Sequence, residues 1–308
     1  MAKKRSNSKR VVSIIIFLLV LIAAIVAYLN PNLFEQPEPQ DPTPTPPVTS
    51  TEGQVLVHVI DVGQGDAILL TAPEGNILID AGDNIERYEQ ALKNYLDGLG
   101  ITKLNYFILT HPHADHIGGA DVILKNYKID TVIMPDKAAT SKVYEAVLDG
   151  IEQNGADLEL AEAGMTFSLG SLSCKILAPL KEYSDANDCS VVIRATFGSV
   201  SMMFTGDAEG NLEGKAEKDI LAKYNANELQ CDFLKVGHHG SDTSTSPAFL
   251  KAVSPKIAAI SCGTGNKYGH PVQSTLDALS AAGVLAYRTD LSGTLVFVCD
   301  GKTIEYRK

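Results

Sequence analysis

Six consecutive residues, His111-Pro112-His113-Ala114-Asp115-His116, place three imidazoles and one carboxylate at a single point in the chain. Imidazole and carboxylate together suit zinc and related divalent ions. The cluster follows an apolar run, Tyr106–Thr110, that reads as a strand, and it precedes a helical pattern at 118–124. A turn at a strand's carboxyl end can aim alternate residues at different metals. The fold must therefore hold that strand end rigidly and bring further ligands to it from elsewhere.

The residues from Val55 onward supply a mixed α/β framework. Short β-branched runs predict strands at Val55–Ile60, Ala67–Thr71, Ile77–Asp80, Tyr106–Thr110, Thr131–Met134, Ser190–Thr196, Ser201–Thr205, Asp232–Val236, Ile257–Ser261 and Thr294–Val298. Periodicity near 3.6 predicts helices at Glu86–Leu99, Lys142–Asn154, Asn211–Tyr224 and Gln273–Ala282. Strands, then a helix, then a strand occur in the first half and again in the second. Two sheets sandwiched between outer helices suit that order.

The N-terminal region is different in kind. Residues 1–10 form a basic tail with Lys3, Lys4, Arg5, Lys9 and Arg10. Val11 to Leu29 is an unbroken apolar run with only Ser13 and Tyr28 as semi-polar residues. As a helix it would span about 28 Å, close to a bilayer's hydrocarbon core. The flanking positive charges predict a cytoplasmic tail and a domain outside the membrane. A signal peptide is the competing reading, giving a secreted domain after cleavage. Against it, the run is longer than the usual signal core, and Ile25 sits where cleavage near Ala27 needs a small residue. Residues 30–53 contain seven prolines and almost nothing to bury, which predicts an extended, semi-rigid linker. A domain over 54–308 remains, long enough for its own core.

Composition narrows the chemistry. The net charge is −11, and the basic tail makes the rest more acidic still. Acidic domains are poor nucleic-acid partners unless bound cations or a local basic patch offset the charge. Five cysteines, an odd count without CxxC spacing, argue against a disulfide framework and a thiolate zinc site, and read as small buried hydrophobes. Trp is absent, so any aromatic platform for a base or sugar must use Tyr or Phe.

His-x-His-x-Asp-His after a strand resembles the metallo-β-lactamase superfamily. The resemblance extends from Val55 to the C-terminus. Five further segments occur in order: Asp61-Val62-Gly63-Gln64-Gly65-Asp66-Ala67, Asn187-Asp188-Cys189-Ser190, Thr205-Gly206-Asp207, Lys235-Val236-Gly237-His238-His239-Gly240-Ser241 and Tyr268-Gly269-His270-Pro271. Together they are similar to the metallo-β-lactamase-like domain attached to ComEC, the DNA-uptake channel, in a stand-alone form with one membrane segment.

The resemblance implies an αββα sandwich and two divalent ions, zinc or manganese, that activate a hydroxide. It implies metal ligation by His111, His113, Asp115, His116, Asp207 and His238, with Asp207 bridging. Of the adjacent pair, His238 is expected to point inward and His239 to be its rival. Asp115, His116 and Lys235 are the expected catalytic residues, with Lys235, Ser241 and Thr243 near substrate oxygens. Asp80 is expected to orient a ligating histidine, with Asp83 as its rival, and Asp61 to support the site through a hairpin turn. His270 stands as either a substrate-facing or a turn residue.

One departure stands out. No His occurs between His116 and His238, where many superfamily members complete the first metal. Water, Asp188 or a neighbouring polar group would have to substitute, and a more oxygen-rich site would favour manganese.

The expected function is a phosphodiesterase or nuclease acting outside the cell on DNA or another phosphodiester. An acyl or amide hydrolase of the β-lactamase kind, and a metal-binding module without turnover, are the alternatives. No protein partner is read from the sequence.

Overall fold

In the computed structural model, residues 53–307 are described. The basic tail, the apolar run at 11–29 and the linker up to residue 52 lie outside the described residues. Among the described residues no helix is long and apolar enough to cross a membrane.

The first half runs β1 (Val55–Val59), β2 (Ile68–Ala72), β3 (Gly75–Ile79), β4 (Lys103–Ile108), β5 (Lys128–Met134) and β6 (Asp157–Leu160). The second runs β7 (Thr166–Leu169), β8 (Leu172–Ala178), β9 (Val192–Phe197), β10 (Val200–Phe204), β11 (Phe233–Lys235), β12 (Ile257–Ile260) and β13 (Leu285–Arg288). Finally β14 (Leu295–Cys299) and β15 (Ile304–Arg307) return to the first sheet, where Cys299 pairs with Val55. The sheets have the orders β15-β14-β1-β2-β3-β4-β5-β6 and β13-β12-β11-β10-β9-β8-β7.

The repeated order expected from the sequence is present. In each half an antiparallel set ending in β3 or β10 gives way to three parallel strands, β4–β6 or β11–β13. Parallel strands need crossovers, and helices supply them. The crossover Lys142–Asn154 shows the local logic. Ser141 accepts from Tyr144 N at its start, and Gly155 ends it in the left-handed region at φ 73°.

Alternation within strands builds four layers. Val55, Val57 and Val59 of β1 face Val200, Met202 and Phe204 of β10 across the interior. Leu69 and Leu78 point the other way, onto the helices Glu86–Gly98 and Ala120–Asn126. Met203 and Leu234 meet the helices Ala216–Lys223 and Pro247–Val253 on the far side. All five cysteines are free and buried, as read from the sequence.

One outer-layer carboxylate carries a prediction. Glu217 is almost fully buried and accepts from Thr245 N at 2.5 Å and Ser246 N at 2.9 Å. Burial pushes its pKa from 4.5 up to about 7. The folded chain thus holds this proton more tightly than the unfolded chain. The associated stability is full below pH 4.5 and is lost as pH rises through about 7. Between pH 5 and pH 8, wild type should lose about 2–3 kcal/mol relative to Glu217→Gln. Urea denaturation of both at the two pH values checks this, and a constant gap would refute it.

Candidate metal centre

The carboxyl ends of β3, β4, β10, β11 and β12 meet at one edge of the sandwich. Ligands of open α/β sheets bind outside the carboxyl ends of parallel strands, where the strand order switches. Neither sheet reverses its strand order beside these ends, but the carboxyl ends of parallel strands from both sheets converge here, and the His-rich turn after β4 lies among them.

Asp207 is the hub. Its Oδ2 lies 3.2 Å from His116 Nε2, 3.7 Å from both His238 Nε2 and His239 Nε2, and 3.8 Å from His111 Nε2. Its Oδ1 is buried with no hydrogen-bond partner, as are His116 Nε2 and His239 Nε2. Asp115 Oδ2 lies 3.4 Å from His239 Nε2, and His113 Nδ1 lies 3.1 Å from His111 Nε2. Buried polar atoms left without partners lose about 1–3 kcal/mol each. Their convergence, with a nitrogen and carboxylate donor set, fits divalent cations. Asp115, His116, Asp207 and His239 offer ligand atoms all within 4.8 Å of one another.

A surrounding shell fixes His116, His239 and His238 with Nε2 inward, while His113 turns Nδ1 toward His111. His116 Nδ1 donates to Asp80 Oδ2 at 2.8 Å. Asp80 also accepts from Thr110 N and Oγ1, at 2.7 and 2.6 Å. His239 Nδ1 donates to the Ser261 carbonyl at 3.0 Å and lies 3.4 Å from Asp66 Oδ1. His238 Nδ1 lies 3.0 Å from Thr243 Oγ1 and 3.5 Å from Glu209. Such contacts fix the tautomer and raise ligand basicity.

Three residues of the site, Asp80 at φ 59°, His238 at 47° and His239 at 55°, occupy the left-handed region. Non-glycine residues there bear roughly 1–3 kcal/mol of strain each. The strain explains a departure from expectation. An ordinary backbone would turn only one of two adjacent histidines inward, but two successive left-handed residues bring both to Asp207. His239 completes the cluster with Asp115 and His116, while His238 approaches from the Glu209 side.

The Asp61–Ala67 motif lies directly beneath. A Cβ on Gly65 would sit 2.3 Å from the Asp115 carbonyl, so only glycine permits the approach. Asp66 N donates to that same carbonyl at 3.1 Å. Gly206 does the same for the Asp207 turn, since a Cβ there would meet Ser190 Oγ at 2.9 Å. Ser190 Oγ accepts from Asp207 N at 3.1 Å and lies 3.4 Å from His111 Nδ1.

Two expectations, for Lys235 and Asp188, are corrected by these contacts. Lys235 is fully buried, and its ammonium binds Asp66 Oδ2 at 2.6 Å and the Val236 carbonyl at 3.0 Å. It is consumed inside the protein and cannot reach a substrate. Asp188 accepts from Glu209 N and Ala216 N through Oδ1 and pairs with Lys215 through Oδ2 at 2.9 Å, so neither oxygen is free to close a metal site. Asp61 accepts from Gly63 N within its own turn, and the carboxylate beside His239 is Asp66.

Lys215 was not anticipated. Its ammonium lies 2.8, 2.9 and 2.6 Å from Asp185, Asp188 and Glu209. One ammonium thus ties that acidic trio together and offsets part of its charge, and Glu209 is fixed where it meets His238. Lys215 lies in a polar stretch with no motif, so only a three-dimensional arrangement could reveal it.

The charges reinforce one another. Burial opposes charge on His116, yet Asp207 and Asp80 outweigh it and hold its pKa well above the usual value. Burial likewise opposes charge on His239, but Asp207, Asp115 and Asp66 raise it to about 9. His111, buried and beside His116, is pushed well below the usual value. Burial opposes ionisation of Asp207, but His116 and His239 hold it well below the carboxylate range. Protons therefore supply positive charge where divalent ions would bind.

A cleft of about 310 Å3 opens over the hub, lined by Gln64, His113, Asn187, Tyr268 and His270 beside the acidic and imidazole cluster. His270 lies in its wall, 5.5 Å from the His238 ring and 6.5 Å from that of His239.

Residues 60–167 match the metallo-beta-lactamase superfamily. The chain is similar to ComE operon protein 3 of Bacillus subtilis (strain 168), 32% identical over 268 residues, covering 82% of this chain and 34% of that protein. It is 31% identical over 258 residues to competence protein ComA of Neisseria gonorrhoeae, covering 82% and 33% respectively. Recombination protein 2 of Haemophilus influenzae is 33% identical over 241 residues, covering 77% and 28%. The chain thus spans about a third of the length of the curated relatives it matches. Among solved structures it resembles CmlA, a diiron beta-hydroxylase from Streptomyces venezuelae, with TM-score 0.54, 15% identity, and coverage of 80% of this chain and 54% of that one. The metallo-beta-lactamase fold protein YhfI from Bacillus subtilis gives TM-score 0.51 at 13% identity, covering 80% and 100%. At such identities the likeness is one of fold.

Proposed function

The chain belongs to the metallo-beta-lactamase superfamily, related to the ComEC competence proteins, and from that premise we propose that this metal-dependent hydrolase is a two-metal phosphodiesterase. One observation carries the reading. Four imidazole Nε2 atoms lie within 3.2–3.8 Å of a single carboxylate oxygen whose partner oxygen is buried and unbonded.

In this reading Asp115, His116, His239 and Asp207 hold one ion. His111, His113 and Asp207 hold the other, completed by His238 in place of the missing mid-chain histidine. Two bound divalent ions would supply Lewis acidity and lower the pKa of water toward neutrality. The chain's own residues do the positioning. Asp80, Ser261 and Thr243 fix three rings, and Asp207 presents Oδ2 to all four Nε2 atoms while Oδ1 remains free to take a second ligand role. Asn187 Oδ1, buried and without a partner at the cleft, is placed to meet a substrate or an ordered water. The first site then has three imidazoles, so the case for manganese over zinc weakens.

The relatives' names, a ComE operon protein and a competence protein, support a nucleic acid as the phosphodiester. We place the domain outside the cell, held by an uncleaved anchor at residues 11–29. Membrane fractionation with and without that run would test the placement, and a wholly soluble full-length chain would refute it.

The function is tested with the purified chain loaded separately with zinc or manganese, assayed on a chromogenic phosphodiester and on plasmid DNA. Metal-dependent cleavage lost in Asp115→Ala and in Asp207→Ala is the expected result. Cleavage of nitrocefin without phosphodiester cleavage would instead move the chain to the acyl hydrolases.

A further inference from the structure

We propose that Tyr268 is a stacking shelf at the mouth of the metal centre, selecting a phosphodiester that carries an unpaired nucleobase beside the scissile bond over a polyol phosphate. The inference deepens the phosphodiesterase reading and rests on it.

Tyr268 is 56% exposed, and it is the one aromatic among the exposed large hydrophobic side chains of the described residues. It also lines the 310 Å3 cleft together with Asp115, Asp207, His238 and His239. Every other described Tyr and Phe is at least partly buried in the body of the fold. With no Trp in the chain, this ring is the most open aromatic face among the described residues.

The ring is braced from behind. His270 stacks on it at 5.7 Å and 24°, and lies in turn 6.5 Å and 26° from His239. The rings thus form a ladder from the mouth to the hub. Their loop is fixed by Asn266, whose Oδ1 accepts from Tyr268 N and His270 N at 3.2 and 3.0 Å. Asn266 Nδ2 donates to the Gly263 and His270 carbonyls at 2.9 and 2.5 Å. Gly263 N donates to Gln64 Oε1 at 3.1 Å, tying the loop to the turn beneath Asp115. The shelf is therefore held in place before any ligand arrives, which reduces the ordering that binding requires.

Lys267 Nζ lies 4.9 Å from the ring centroid. Its ammonium can shift from the ring to an adjoining phosphate when a base takes the ring face. That supplies a local cation in an acidic chain. Base–aromatic stacking is sequence-tolerant because every base has a π-face, whereas a polyol phosphate has none.

The experiment measures binding, so it does not depend on turnover. The full chain is titrated with oligothymidylate and with an abasic oligomer of equal length, and so are Tyr268→Ala and Tyr268→Phe. Loss of the ring should weaken oligothymidylate binding by about 5- to 150-fold, the range for one base on one aromatic. Tyr268→Phe should bind like wild type. The abasic oligomer should bind wild type and Tyr268→Ala equally weakly. Equal binding of both oligomers by wild type overturns the shelf, as does an equal loss for both on Tyr268→Ala. Absence of any oligomer binding also overturns it. In each of those cases metal-dependent cleavage of the chromogenic phosphodiester still decides the hydrolase reading separately.

Discussion

Asp207→Asn should lower hydrolysis by roughly 10³-fold or more and take bound divalent ions from two per chain to one or none. The side chain is the same size, so the effect is one of charge and donor type. Among the described residues, Asp207 is the only carboxylate that all four inward-facing imidazoles approach, within 3.2–3.8 Å. An amide would present an N–H toward at least one ion and lose the negative charge that balances His116 and His239. Asp115→Ala makes a graded comparison. It removes a ligand from the His116–His239 side alone, so one ion should remain. Metal analysis of both folded variants, with circular dichroism as the folding check, reads the difference. Two retained ions in Asp207→Asn would sink the bridging role.

Most of the candidate ligand cluster was legible because the residues that could ligate are local in sequence. His111, His113, Asp115 and His116 sit in one turn, and Asp207 and His238 end readable strands. What the sequence concealed has two physical sources. Backbone strain decided the His238–His239 pair, and strain leaves no mark in residue type. Long-range pairing decided Lys235 and Asp66, which are 169 positions apart and meet only when the sheets stack.

The fold shows a similar division. The ten expected strands are present, and four of the five unexpected ones, β6, β7, β13 and β15, are the sheet edges. Each has four residues and pairs on one side only, so it carries no continuous apolar run. All four residues of β6 are exposed. The fifth, β8, follows β7 through a two-residue Gly170-Ser171 turn with Leu169 paired to Leu172. That dipeptide between alternating residues was the available hairpin signal. The expected helix from Asn211 begins only at Ala216, because Gly214 and the Lys215 ion network occupy the preceding residues.

The Lys235–Asp66 pair should show the largest stability effect. Both side chains are essentially without exposure, and their 2.6 Å contact joins the second sheet to the turn before β2. Lysine and the first carboxylate therefore act as an internal strut beneath the metal centre. Lys235→Met should destabilise the chain by about 3–5 kcal/mol, because a buried carboxylate is left without its cation. The double variant Asp66→Asn/Lys235→Met should recover most of that loss, since no charge remains unpaired. Metal binding should not recover with it. Asp66 Oδ1 also lies 3.4 Å from His239 Nδ1, and the double variant still lacks that carboxylate. Urea denaturation and metal titration on wild type and the two variants separate the two roles. Stability and metal affinity that recover together would show that Asp66 serves only the strut. A loss under about 1 kcal/mol in Lys235→Met would show that the buried pair contributes little to holding the sheets in register.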